Sequence, residues 1–218
     1  MKYVLAVLTI FIITFSSCKK ENENENTNPV EESVLDYMPL SVGNYWVYQR
    51  YICDSGELNC EEMTIDTNWI VKDSLVNNLL YFKLVGNTIS GNEGYFLRDS
   101  GDYIVDLKGH IYFTHTDTVN IFNFQYAPEN QSDTMYYWYY QLAKGQSSIE
   151  VPSGNYECLD MRGHFFRQQD EFNTDHTTHK LHSKDVGMVK NTGVFASNLK
   201  VLKQELIGYH IEPAGITP

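Results

Sequence analysis

The chain has 218 residues, with 16 basic and 28 acidic side chains for a net charge of −12, and 14% of its residues are aromatic. So acidic a surface excludes the basic patches with which nucleic-acid binders neutralise phosphates. It also repels anionic headgroups, so attachment to a membrane has to come from something other than surface charge.

The first eighteen residues read as an address. Lys2 is a small positive n-region, and Val4 to Phe15 form a twelve-residue apolar h-region. That is shorter than the roughly 20 residues a transmembrane helix needs. Phe15-Ser16-Ser17-Cys18 then puts small residues before a cysteine whose thiol can carry a diacylglycerol. This resembles the lipobox of bacterial lipoproteins, with Phe15 where Leu is usual. The competing reading is an ordinary signal peptide with an incidental cysteine. On the lipobox reading, residues 1–17 are removed and 201 remain; losing Lys2 takes the net charge from −12 to −13.

From Cys18 to Leu35 the chain reads as a tether. Lys19 to Pro29 holds no apolar residue to offset the entropy of ordering it. Extended, the stretch reaches at most about 60 Å. A lysine-then-acidic run after the lipidated cysteine resembles the export signal of surface lipoproteins in the Bacteroidetes. The expected location is therefore the outer membrane, on its periplasmic or its outer face.

Residues 36–218 read as one β-rich domain. From Cys60 to Lys72, Met63, Ile65, Trp69 and Val71 alternate with Glu62, Thr64, Asp66 and Asn68, the period of a half-buried strand. Similar runs occur at Tyr45–Cys53, Leu79–Val85, Tyr95–Arg98, Tyr103–Leu107, His110–Phe113, Val119–Phe124, Met135–Leu142, Tyr156–Phe166 and Leu199–Tyr209, with turn formers such as Asp99-Ser100-Gly101-Asp102 between them. Only Glu31–Asp36 looks helical, and it is too short to stand alone. The pattern predicts a mainly β fold: a curved antiparallel sheet, as a half-barrel or sandwich.

With Cys18 taken by lipid, Cys53 and Cys60 flank a Gly- and Asn-containing turn and are predicted to form a disulfide. Closing so short a loop contributes about 2–3 kcal/mol. A metal site would need a second Cys/His pair at zinc-like spacing, which the sequence lacks here. Cys158 is left as a buried small hydrophobe.

Three segments carry a resemblance. Tyr37-Met38-Pro39-Leu40-Ser41-Val42-Gly43-Asn44-Tyr45-Trp46-Val47-Tyr48 resembles the PL-x-x-G-x-x-W-x-Y opening of a broad set of uncharacterised Bacteroidetes lipoproteins. Val151-Pro152-Ser153-Gly154-Asn155-Tyr156-Glu157-Cys158 is similar to their V-P-A-G-x-[FY] segment, with Ser153 in place of the common Ala, and Asp185-Val186-Gly187-Met188-Val189-Lys190 to their closing x-V-G-[LM]-V turn. The resemblance implies a half-barrel like that of periplasmic lipoprotein carriers, with no catalytic residues. Trp46 and Tyr48 share one face of the first strand and read as a core plug.

The chemistry on offer is thin. His176, His179 and His182, with His164 on a neighbouring strand, invite a metal reading, but an extended strand puts His179 opposite the other two. The favoured reading is solvated polar residues on an edge strand or loop, with no metal and no cofactor. Tyr136-Tyr137-Trp138-Tyr139-Tyr140 stacks aromatics on both faces of one strand; exposed, such a face could stack on sugar rings or accept an apolar chain, and the favoured reading is a central strand covered on both sides. There is no G-x-S-x-G elbow, H-E-x-x-H or phosphate loop, so an enzyme is not expected. Two functions remain. One is a non-catalytic module binding a lipid or other apolar ligand, in a concavity lined by some of Trp46, Tyr48, Trp69, Phe82 and Trp138. The other is a packed surface or envelope protein whose partner docks on its exterior. A glycan-binding module is a lesser alternative.

Overall fold

The computed structural model describes residues 32–86, 94–128, 134–167, 176–195 and 200–213. One short helix, α1 (Val34–Tyr37), precedes thirteen strands: β1 (Tyr45–Cys53), β2 (Cys60–Val76), β3 (Leu79–Gly86), β4 (Tyr95–Asp99), β5 (Tyr103–Asp106), β6 (Ile111–Thr114), β7 (Phe122–Pro128), β8 (Thr134–Leu142), β9 (Ser147–Val151), β10 (Gly154–Arg167), β11 (His176–Ser183), β12 (Gly187–Val194) and β13 (Val201–His210). Cys18, which is expected to carry lipid, and the expected tether up to Glu31 lie outside the described residues. Ser33, Val34 and Leu35 fall in the expected tether but also in the Glu31–Asp36 stretch that looks helical; they are folded, and Val34 is fully buried.

All the strands belong to one antiparallel sheet in the order β6-β5-β4-β3-β2-β1-β13-β12-β11-β10-β8-β7, with β9 added alongside β10. The sheet is therefore two meanders, β1 to β6 and β7 to β13, joined by the β1–β13 ladder from Tyr45 opposite His210 to Cys53 opposite Val201. It curls until its outer strands, β6 and β7, nearly meet, leaving a barrel with one seam. A side chain spans that seam. The Ile111 N–H donates to Asn123 Oδ1 at 3.1 Å, and Asn123 Nδ2 donates back to the Ile111 carbonyl at 2.6 Å. Asn123 sits at φ +53°, at an irregularity between Phe122 and Gln125.

Strands β9 and β12 escaped the sequence reading, and β11, expected as an edge strand or loop, is an interior strand between β10 and β12. They are rich in Ser, Thr, His, Lys and Gly, and apolar alternation cannot mark such residues. β7 also starts and ends later than the expected Val119–Phe124.

One end of the barrel is plugged by α1 and the turn after it. Ser33 caps the helix: its hydroxyl accepts from the Leu35 N–H while the Asp36 carboxylate accepts from the Ser33 N–H. Val34, Tyr37, Met38 and Leu40 are buried against Trp46, Phe113 and Val186 in one apolar cluster. The wholly buried Asn44 locks the plug, since its Nδ2 donates to the Pro39 carbonyl and its Oδ1 accepts from the Glu212 N–H.

Above this core lies a polar layer. The Asp66 carboxylate, with no exposed side chain, accepts from Arg50 Nε at 2.6 Å and from Gln204 Nε2 at 2.8 Å, and Asn191 Nδ2 donates to Gln204 Oε1. Its presence inverts the expectation for β2. Asp66, Asn68 and Ile70 face inward, whereas Met63, Ile65, Trp69 and Val71 are exposed. Period two tells which residues share a face of a strand, and here the face with more polar groups is the inner one.

Cys53 and Cys60 are disulfide-bonded across the β1–β2 hairpin. Cys158 is a buried free thiol whose pKa burial pushes up to about 12.

Clefts at the open end of the barrel: the candidate functional site

Among the described residues, the end of the barrel away from the plug is the cleft-bearing one. Two clefts lie there, of about 260 Å³ and about 220 Å³. They share Trp138, Tyr140 and Lys180. Phe165, Thr178 and Asn191 complete the first, while Tyr95, Tyr112, Ile111 and Asn123 line the second, which thus runs along the seam. Together they reach the lower part of the ~300–1,000 Å³ range of small-molecule sites.

The strands place these groups by register. On β11, Lys180 stands between Met161 of β10 and Asn191 of β12, so it shares the inner face with core residues. Tyr140 lies opposite Gly163, and a Cβ on that glycine would sit 3.0 Å from the Tyr140 ring and closer still to the Thr178 hydroxyl. Gly163 therefore lets the Tyr140 ring lie down on the sheet. The Lys180 ammonium rests over two rings, 4.5 Å from the Tyr140 centroid and 4.9 Å from that of Tyr112, which is cation–π geometry. Burial works against its charge, but the phenol groups of Tyr140, Tyr112 and Tyr95 outweigh burial, and its pKa is raised. Lys180 is a cation at neutral pH.

Beneath the clefts a smaller cavity of about 20 Å³ is lined by Met38, Trp46, Tyr48, Asn68, His182 and Met188. His182 is fully buried, 4.1 Å from the Phe113 ring. Its Nδ1 lies 3.1 Å from the Lys180 carbonyl, which can only accept, so Nδ1 carries the proton and Nε2 is an acceptor. Burial lowers its pKa to about 3.

The five residues expected to line one concavity are divided. Trp46 and Tyr48 meet at the small cavity, their polar atoms spent on the Val186 and Met188 carbonyls. Phe82 packs against the core cluster. Trp138 alone of the five lines the clefts, and Trp69 is on the outside, 42% exposed. The residues that sequence reasoning missed, Lys180, Tyr112, Tyr95 and Phe165, come from four strands. Only register brings them together.

Neither face of the β8 aromatic run is fully covered, contrary to expectation. Trp138 and Tyr140 line the clefts, and on the other face Tyr137 stacks on Phe166 at 4.6 Å and Tyr139 on His164 at 4.9 Å.

The histidines are also divided. His182 is in the core rather than at a solvated edge. His179 is on the opposite face, its Nδ1 2.9 Å from Asp160, which Arg162 Nε also meets at 2.7 Å. Burial pushes the Asp160 carboxyl up, but the bonds from His179 and Arg162 outweigh burial and hold its pKa below the usual value. Among the described residues no three His, Cys, Asp or Glu side chains are grouped to hold a metal ion.

No protein-family model matches the chain, and no curated protein is significantly similar to it. Two solved structures resemble it at low identity. One, from Bacteroides fragilis and provisionally described as an exported protein with a YmcC-like fold, is 8% identical with a TM-score of 0.44, covering 79% of this chain and 98% of its own. The other, from Parabacteroides distasonis and provisionally described as a lipoprotein, is 12% identical with a TM-score of 0.39, covering 79% and 97%.

Proposed function

We propose that this chain is a bacterial outer-membrane lipoprotein, anchored through Cys18, whose barrel binds a small apolar or amphiphilic molecule in the clefts at its open end without transforming it. The observation that carries this reading is the pair of aromatic-walled clefts meeting at Trp138, Tyr140 and Lys180. A packed interaction domain has no need for such clefts among its described residues. The sequence supports the anchor through the apolar leader and Phe15-Ser16-Ser17-Cys18.

A second reading draws on the exterior of β2. Met63, Ile65, Trp69 and Val71 form an exposed apolar row beside Tyr45, the kind of surface a protein partner covers.

Native mass spectrometry of the mature chain, purified from a membrane-containing host, separates the two. A mass excess of a few hundred daltons that disappears on organic extraction is the expected result. A clean apo mass, with added amphiphiles also failing to bind, sinks the ligand reading in favour of the docking surface. For the anchor, radiolabelled palmitate should enter the wild-type chain and not Cys18→Ser; equal labelling would overturn that assignment.

A further inference from the structure

Among the described residues some shielded cations meet carboxylates, whereas Lys83, over the Phe96 ring at 5.8 Å, and Lys180 meet ring faces. Arg50 meets Asp66 at 2.6 Å, Lys190 meets Glu57 at 2.7 Å, and Lys203 meets Glu205 at 2.9 Å. Lys180 is half-buried on the inner face, and among the described residues no carboxylate lies within ion-pair distance and no hydrogen-bond acceptor meets its Nζ. Its partners are the faces of two rings. A cation–π contact offsets only part of the cost of desolvating an ammonium and leaves its hydrogen-bonding capacity unused. Asp106 borders the same cleft but is engaged with its own turn: Oδ1 accepts from the Lys108 and His110 N–H groups, and Oδ2 is 3.0 Å from His110 Nδ1.

Resting on the proposed ligand-binding reading, we propose that Lys180 is the head-group site for a carboxylate-headed hydrocarbon of the fatty-acid class, whose chain lies along Trp138 and Phe165. A single ammonium matches a single negative charge. A chain with net charge −12 opposes ligands that bring more. Of the groups around Lys180, Trp138, Phe165 and Ile111 offer a hydrocarbon body apolar contact, while Thr178, Asn191 and Gln125 are polar. The ammonium donates to the carboxylate in a charge-assisted bond, while the rings hold the lysine stem in place before the ligand arrives.

The test is calorimetric titration of the mature chain, unlipidated through Cys18→Ser, with decanoate and with decanol, which share a chain and differ in head group. Decanoate is expected to bind tighter by about tenfold or more, the scale of one charge-assisted hydrogen bond. Lys180→Met should bring decanoate down to the affinity of decanol and leave decanol unchanged, and Lys180→Arg should keep most of the preference. Equal binding of decanoate and decanol to the wild-type chain overturns the head-group assignment but leaves the ligand-binding reading standing. Binding of neither overturns both. The wild-type comparison decides even if the Met variant fails to fold.

Discussion

The indole N–H of Trp46 donates to the carbonyl of Val186 at 2.6 Å, 140 residues further along the chain. Two residues on, the Tyr48 hydroxyl donates to the Met188 carbonyl at 2.8 Å. The residue between, Gly187, has φ +97°, and a Cβ there would lie 3.0 Å from the indole nitrogen. Two of the segments quoted from the sequence are thus halves of one contact. Gly187→Ala should cost about 1–3 kcal/mol, through left-handed strain and displacement of the indole. Urea unfolding measures this directly, and an unchanged midpoint would show that the contact is dispensable.

His182 predicts a pH dependence. Its folded pKa of about 3 lies below the ordinary value of 6.5, because burial disfavours the imidazolium. The unfolded chain therefore binds the proton more readily, and this contribution to stability is fully present above about pH 6.5 and lost as pH falls towards 3. Between pH 7.5 and pH 5 the loss should be about 2 kcal/mol. His182→Gln should flatten that slope, whatever it does to stability at pH 7.5. Parallel slopes for the two proteins would assign the pH dependence to other groups.

Reducing the Cys53–Cys60 bond should destabilise the fold by about 2–3 kcal/mol through the freed loop. A thiol reagent applied to the reduced, folded, unlipidated chain should modify the exposed Cys60 and spare the buried Cys158 until unfolding. Rapid labelling of Cys158 under native conditions would mean that it is reached without unfolding.

At the seam, Asn123 serves two needs with one side chain, a left-handed backbone and a bridge to Ile111. Asn123→Gly keeps the first and removes the second, while Asn123→Ala removes both. Amide exchange at Ile111 should accelerate in both variants, and only the alanine variant should add the cost of left-handed strain, of order 1 kcal/mol. If Ile111 stays as protected in both as in the wild type, the seam is held by something else.

Much of the fold was legible because turns and aromatic alternation announce themselves: β1, and the cores of β3, β4, β5, β8, β10 and β13, fall where the pattern placed them. β11 reads as an edge strand or loop because Thr177, Thr178 and His179 have no apolar rhythm, although the strand is interior and carries Lys180 and His182. β2 shows a different failure. Its alternation was correct, but the inner face holds Asp66 and Asn68, because Arg50 and Gln204 on adjoining strands supply hydrogen bonds that a single strand's sequence cannot display. The candidate site was hidden for the same reason, since Lys180 gains meaning only beside Tyr112 and Tyr140.

The two-meander order of the sheet also determines how the chain can find its fold. Within each meander, neighbouring strands follow closely in sequence and can pair by local hairpin closure. The β1–β13 ladder is different, since it brings the first strand to the last. Loop-closure entropy makes that pairing the costliest to close, so the halves are expected to form before they dock. The seam falls where the chain runs directly from β6 into β7 through residues 115–121. A chain nicked in that connection would retain every strand ladder, so its two fragments carry the information to reassemble.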